Sequence, residues 1–153
     1  MELWKRWVEF GAFTSLMRDH LWDNNPGAIK LWTNDSTIAF FKKYAMLHKM
    51  IQPYLYSLAI ESSKSGVPII RHMMLEYPTD TSTYNCEYQY MLGSELIIAP
   101  VVEEHADTKE VYLPEGEWKY LWDDKMYQGK HWVTVKAPVD EIPVFIKKGS
   151  NVL

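Results

Sequence analysis

The feature that most constrains this chain is one short, mostly apolar run, Val67–Met74, between Gly66 and Tyr77-Pro78. Its length and its lack of alternation are typical of a strand that is buried on both faces in a parallel sheet. The backbone groups of such a strand must pair with strands on both sides. The residues before it have a helical pattern, so the sequence predicts either association between chains or, as the favoured alternative, a piece of a larger protein.

Residues 1 to about 65 have helical periodicity in two segments. The turn-rich sequence Asp23–Gly27 should end the first helix. Asp35 or Ser36 is expected to cap the second helix, and Gly66 is expected to stop it. Pro53 lies inside the second helical pattern and is expected to kink or split the helix. The predicted apolar face of this helix comprises Ile38, Phe41, Ala45, Leu47, His48 and Ile51.

From about residue 88 the pattern changes to short strands separated by turn residues. Strands at this close spacing indicate an antiparallel sheet or sandwich. We place a boundary between Pro78 and Tyr88, which gives one unit over residues 1–80 and a second over residues 81–153. The predicted strands are Leu96–Val102, Glu110–Leu113, Trp118–Trp122, His131–Lys136 and Val144–Lys147.

Charge and cysteine content exclude several classes of protein. The net charge is −4 and no basic stripe is present, so nucleic acid is not an expected partner. No apolar run approaches the roughly 20 residues of a membrane helix, so no membrane association is expected. Cys86 is the single cysteine and the N-terminus has no signal-peptide pattern, which together favour a cytoplasmic location.

Few residues mark a chemical site. Arg18-Asp19-His20 follows the first helix and could bind hydroxyl groups, or it could be a solvated helix end. His20, Asp23, Asp19 and His48 have no recognised metal-ligand spacing, and His48 lies on an apolar face, so neither a metal nor another cofactor is predicted. The carboxylates Glu76, Asp80, Glu87, Glu95, Glu103 and Glu104 show no paired pattern and are interpreted as turn or surface residues.

Eight segments in chain order carry a family resemblance. They are Arg6–His20, Gln52–Tyr56 (QPYLY), Gly66–Arg71 (GVPIIR), Glu76–Asp80 (EYPTD), Tyr88–Val101 (YQYMLGSELIIAPV), Tyr112–Trp118 (YLPEGEW), Ile142–Ile146 (IPVFI) and Gly149-Ser150. Together they resemble the C-terminal portion of glycoside hydrolase family 31. The resemblance implies an α+β fragment that comprises the last helices and the eighth strand of a (β/α)8 barrel, followed by an antiparallel β-sandwich.

The resemblance also implies an activity, the retaining hydrolysis of α-glycosides. That chemistry uses two carboxyl groups about 5 Å apart. In the family both are aspartates that precede the segment matched by Arg6–His20, so no catalytic residue is assigned to this chain and the isolated chain is expected to be inactive. By the same match, His20 should contact substrate hydroxyls and Arg18 should help to order the site.

The residues after His20 differ from the common α-glucosidase pattern and are similar to the sulfoquinovosidase branch of the family. The expected substrates are therefore α-glucosides or sulfoquinovosides. A non-catalytic carbohydrate-binding module, which would use the 7 Trp, 10 Tyr and 5 Phe, remains an alternative. A structural or assembly domain, in which copies of the chain pair as a homo-oligomer, is a further alternative.

Overall fold

The computed structural model describes residues 1–20 and 27–153. Its helices are α1 (Glu2–Ala12), α2 (Asp35–Ser65) and α3 (Met73–Glu76), with a 3-10 helix over Thr81–Asn85. Its strands are β1 (Ile70–Arg71), β2 (Tyr90–Leu92), β3 (Leu96–Ile98), β4 (Thr108–Leu113), β5 (Glu117–Tyr120), β6 (Met126–Gln128), β7 (His131–Lys136) and β8 (Val144–Lys147). This arrangement of helices and antiparallel strands confirms the predicted fold class.

The strands form two sheets in which every described pair is antiparallel. The larger sheet has the order β1-β2-β3-β8-β5-β6, and β4 pairs with β7 in a second sheet of two strands. Strand β8 comes last in the chain but lies in the middle of the larger sheet, between β3 and β5. The sheet is therefore completed only when the C-terminal strand is in place.

The larger sheet is covered on both faces. Leu96 and Ile98 point towards helices α1 and α2, whereas Ile97 points towards the two-stranded sheet. Side chains of β8 alternate in the same way, with Val144 on the helical side and Phe145 on the other. This double burial explains why these strands are continuously apolar although the sheet is antiparallel.

Helix α2 differs from its prediction in three respects. Its N-cap is Asn34, which forms a reciprocal capping box with Thr37, and not Asp35 or Ser36. Ile38 is exposed, whereas the buried stripe contains Thr37, Phe40, Tyr44, Ile51, Leu55 and Leu58. Of the two effects predicted for Pro53, a kink or a split, the split does not occur, since the helix is continuous and Pro53 lies on its exposed side, where water can bond the carbonyl that the ring leaves free. The predicted stop is confirmed, because Gly66 adopts a left-handed conformation with φ of 77°.

The predicted buried strand at Val67–Met74 is shorter than expected. Only Ile70 and Arg71 form a strand, and they pair antiparallel with Leu92 and Met91 of β2. Ile70 is partly exposed, because β1 is the edge strand of the larger sheet. The parallel neighbours that the pattern predicted are not found among the described residues.

Candidate functional site

Arg18 and His20, the two predicted substrate-binding residues, lie next to each other on the surface. Nη2 of Arg18 is 2.9 Å from Nδ1 of His20, and both side chains are exposed. A guanidinium can only donate, so Nδ1 must accept and the ring proton lies on Nε2. The pair therefore presents outward-facing N–H donors, which suits the recognition of oxygen-rich ligands.

The segment that carries this pair is anchored by two distant side chains at the end of α1. Nδ1 of His48, on α2, donates to the carbonyl of Ala12 at 2.9 Å. The hydroxyl of Tyr90, on β2, donates to the carbonyl of the fully buried Phe13 at 2.9 Å. These bonds satisfy backbone carbonyls that the helix end leaves free, and they hold the chain that leads to Arg18.

A buried polar cluster fixes the other side of α1. The guanidinium of Arg6 donates to Oε2 of Glu9 at 3.1 Å and to the carbonyls of Ala106 and Ala137. Oε1 of Glu9 accepts from the backbone N–H of Asp140 at 2.6 Å. Burial raises the pKa of Glu9, because loss of water disfavours its charged form more than Arg6 and the backbone donor stabilise it.

The charged residues of two family-like segments bind each other. Arg71 of GVPIIR forms ion pairs with Glu76 of EYPTD and with Glu61 of α2. Its Nε also donates to the carbonyl of Pro68 at 2.7 Å. Arg71 thus joins β1, α3 and the C-terminal end of α2, which is a structural role.

Asp80 and Cys86 also have structural roles. Asp80 caps the 3-10 helix by accepting from the N–H of Ser82, and its Oδ2 accepts from the hydroxyl of Tyr112 at 2.7 Å. Burial, with a smaller contribution from Asp80, raises the pKa of the Cys86 thiol to about 11. A buried, protonated thiol is a poor nucleophile.

A groove of about 840 Å³ lies beside the free edge of β1. Its lining is largely apolar. It is formed by α1, by β1, by the segment that leads into β2 and by the segment that follows β3. Its apolar residues include Leu3, Trp7, Phe10, Ile70, Tyr88 and Val102. Several of these side chains are exposed, so the groove has the character of an unfilled packing surface.

Within residues 1–20 and 27–153, no three His, Cys, Asp or Glu side chains come close enough together to hold a metal ion. Asp23, one of the four residues considered as metal ligands from the sequence, lies outside the described residues. Over the same part of the chain, no helix combines the length and the hydropathy that a membrane span requires.

Two family models match the chain in succession. The model described as the glycosyl hydrolases family 31 TIM-barrel domain matches residues 1–58. The model described as the glycosyl hydrolase family 31 C-terminal domain matches residues 66–152. The chain belongs to glycoside hydrolase family 31. This confirms the resemblance carried by the eight segments, while the boundary predicted at residue 80 remains a prediction.

Among curated members of family 31, the isomaltosyltransferase of Sporosarcina globispora is 40% identical over 159 residues. That match covers 97% of this chain and 14% of the relative. The sulfoquinovosidase of Escherichia coli (strain K12) is 39% identical over 151 residues, which cover 98% of this chain and 22% of the relative. The chain therefore spans less than a quarter of the length of either relative.

Solved family 31 structures have the same fold over this region. A sulfoquinovosidase from E. rectale, in complex with an aza-sugar inhibitor, matches with a TM-score of 0.92 and 32% identity, over 98% of this chain and 22% of that structure. A dextranase from Flavobacterium johnsoniae, in complex with isomaltotriose, matches with a TM-score of 0.89 and 44% identity, over 97% of this chain and 18% of that structure.

The sequence predicts Arg18 and His20 as site residues, which remains a prediction, but it does not indicate the residues that hold them. His48, which the sequence places on an apolar helix face, is half-buried and bonded to α1. Tyr90 lay inside a family-like segment without an assigned role. A single sequence contains no signal that connects either residue to the end of α1, whereas covariation among relatives would contain one.

Proposed function

We propose that this chain is the end of the catalytic barrel and the adjoining sandwich of a retaining α-glycosidase, which hydrolyses O-glycosyl bonds of α-glucosides or sulfoquinovosides. The match of two family 31 models in chain order carries the proposal. Relatives named as sulfoquinovosidase and α-glucosidase support this substrate range.

In this proposal Arg18 and His20 bind the substrate. His20 donates from Nε2 to a sugar hydroxyl, and Arg18 fixes the orientation of the imidazole through Nδ1. A ring held in one orientation loses less entropy when the substrate binds. The anchors of the segment, His48 and Tyr90, support the proposal because they limit the movement of the pair.

The nucleophile and the general acid/base are proposed to be aspartates on barrel strands that precede residue 1. Two observations support this. Neither Glu76 nor Asp80 is free, since one pairs with Arg71 and the other caps a helix and bonds Tyr112. In addition, the groove beside β1 is largely apolar and several of its side chains are exposed, as expected of a surface against which the remaining barrel elements pack.

The test compares a longer protein, extended upstream by the rest of a family 31 barrel, with the 153-residue chain. Both are assayed on 4-nitrophenyl α-glucoside and on its sulfonated analogue. We expect the longer protein to hydrolyse at least one substrate with retention of configuration, and the short chain to hydrolyse neither. Turnover by the short chain, purified free of other hydrolases, would contradict the proposed division of residues. If the longer protein hydrolyses only one of the two substrates, that substrate identifies the protein as a member of the α-glucosidase or the sulfoquinovosidase branch of family 31.

A further inference from the structure

The outer face of the two-stranded sheet carries an exposed aromatic platform. Trp132 of β7 lies directly opposite Tyr112 of β4, so both side chains project from the same face. Their ring centroids are 5.3 Å apart, with the planes inclined at 54°. Trp132 is nevertheless 44% exposed, so contact with Tyr112 leaves much of its ring system open to solvent.

The base of this platform is held in place. The side-chain amide of Gln89 donates to the carbonyl of Tyr112 and accepts from its N–H, at 2.8 Å in both cases. The hydroxyl of Tyr112 donates to Asp80 at 2.7 Å. Trp132 therefore packs against Tyr112, a residue whose backbone and side chain are both fixed. Little further ordering is needed when a ligand stacks on Trp132.

A cleft of about 470 Å³ lies beside Trp132, a volume in the range of small-molecule sites. Tyr88 contributes a second ring at the border between this cleft and the groove beside β1, both of which it lines. Lys109 is held within the cleft, with Nζ 5.3 Å from the centre of the Tyr88 ring and 3.5 Å from Oε2 of Glu103. Exposed Asn85 completes the mixture of aromatic surface, donors and acceptors.

This combination fits a sugar. A pyranose has an apolar C–H face that can lie on an indole ring, and its edge carries hydroxyls that pair with carboxylates, amides and ammonium groups. The lining contains three carboxylates, of Glu87, Glu103 and Glu110, against the single ammonium of Lys109. The excess of negative charge disfavours an anionic ligand such as a sulfonated glycoside.

We propose that the cleft beside Trp132 is a non-catalytic binding site for neutral saccharides. It is distinct from the Arg18–His20 pair, neither of which lines it. A site on the sandwich would hold a saccharide near the enzyme and raise its local concentration. The inference does not depend on the proposed hydrolysis, because binding at the sandwich requires no catalytic carboxylate.

The test titrates isomaltotriose into the 153-residue chain and follows the heat of binding and the tryptophan fluorescence. We expect a Kd on the order of 1 mM for the unaltered chain. Trp132→Ala should weaken binding about tenfold, since it removes the stacking surface. The matched control is Trp32→Ala, which removes an exposed indole that also has a lysine ammonium near its ring.

Several outcomes would overturn this site. They are no binding by the unaltered chain, unchanged affinity in Trp132→Ala, equal loss in the two variants, and a sulfonated glucoside that binds as tightly as the neutral sugar. If Trp132→Ala proves poorly folded, Trp132→Leu takes its place. Leucine preserves apolar area but has no ring face, so this variant should also lose affinity. Because no hydrolysis is measured, failure here leaves the proposed activity of the longer protein untouched, and failure of that activity leaves this binding site intact.

Discussion

The hydroxyl of Tyr54 occupies the space that a β-carbon on residue 93 would need. An ideal Cβ built on Gly93 would lie 2.1 Å from Oη of Tyr54 and under 3 Å from both terminal methyl carbons of Leu58. The same hydroxyl donates to the carbonyl of Leu92 and accepts from the N–H of Glu95. Tyr54 thus joins α2 to the turn between β2 and β3 at a point where only glycine fits.

Gly93→Ala should therefore destabilise the chain strongly. Residue 93 has φ of +59°, which costs an L-residue about 1–2 kcal/mol, and displacement of Tyr54 and Leu58 adds about 1–3 kcal/mol. The free energy of unfolding is measured by urea titration. Gly149→Ala is the matched control, because Gly149 also has positive φ, +87°, but open space around it. Equal losses in the two variants would show that close packing against Tyr54 contributes nothing.

Glu9→Gln should change how stability depends on pH. Because the folded-state pKa of Glu9 is raised above its ordinary value of 4.5, the folded chain binds this proton more tightly than the unfolded chain. The contribution of Glu9 to the free energy of unfolding is therefore greatest below pH 4.5 and is lost as the pH rises through the folded-state pKa. Glutamine cannot ionise, so the variant should gain stability relative to the unaltered chain as the pH rises across this window.

The measurement is a series of urea titrations from pH 4 to pH 8. Glu115→Gln removes an exposed carboxylate and reports the effect of lost charge alone. A Glu9→Gln chain that loses relative stability as the pH rises would mean that Arg6 stabilises the ionised carboxylate more than burial disfavours it.

Tyr90→Phe tests the anchor of the Arg18–His20 segment. The change removes the hydrogen bond to the carbonyl of Phe13 and should cost about 1 kcal/mol of stability. Amide hydrogen exchange should also become faster in residues 14–20, since this bond holds the start of the segment. Tyr56→Phe, at an exposed tyrosine of α2, is the control and should leave both quantities unchanged. Unaltered exchange in Tyr90→Phe would remove this residue from the set of positioning residues.

His20→Ala tests the proposed sugar contact in the longer protein. Loss of a hydrogen-bond donor at the reacting sugar is expected to lower kcat/KM about 100-fold, while the unfolding midpoint stays the same because His20 is exposed. The control is His131→Ala, which removes another exposed histidine with a local contact to the carbonyl of Gly129. A His20→Ala enzyme with unaltered kcat/KM would show that the imidazole does not contact the substrate.

The sequence by itself determined the elements whose signals are local. The bounds of β7 and β8 are as predicted, since alternation or a short apolar run between turn residues marks a strand directly. Gly66 ends α2 because a left-handed residue favours glycine. Membership of family 31 also followed from the sequence, because eight segments in one order are a property of the chain and not of its packing.

Tertiary structure decided which surfaces meet. Strands β2 and β6 were not predicted, since each has only three residues and forms through pairing with a neighbour. The buried side of α2 includes Phe40 and Tyr44, which the predicted stripe omitted, because α1 and the sheet cover that side. Likewise, the hydrogen bonds that hold the Arg18–His20 segment come from His48 and Tyr90, which lie 36 and 77 positions further along the chain than the carbonyls they bind. Periodicity states that a face is apolar but not what covers it, and distant partners are chosen only when the whole chain packs.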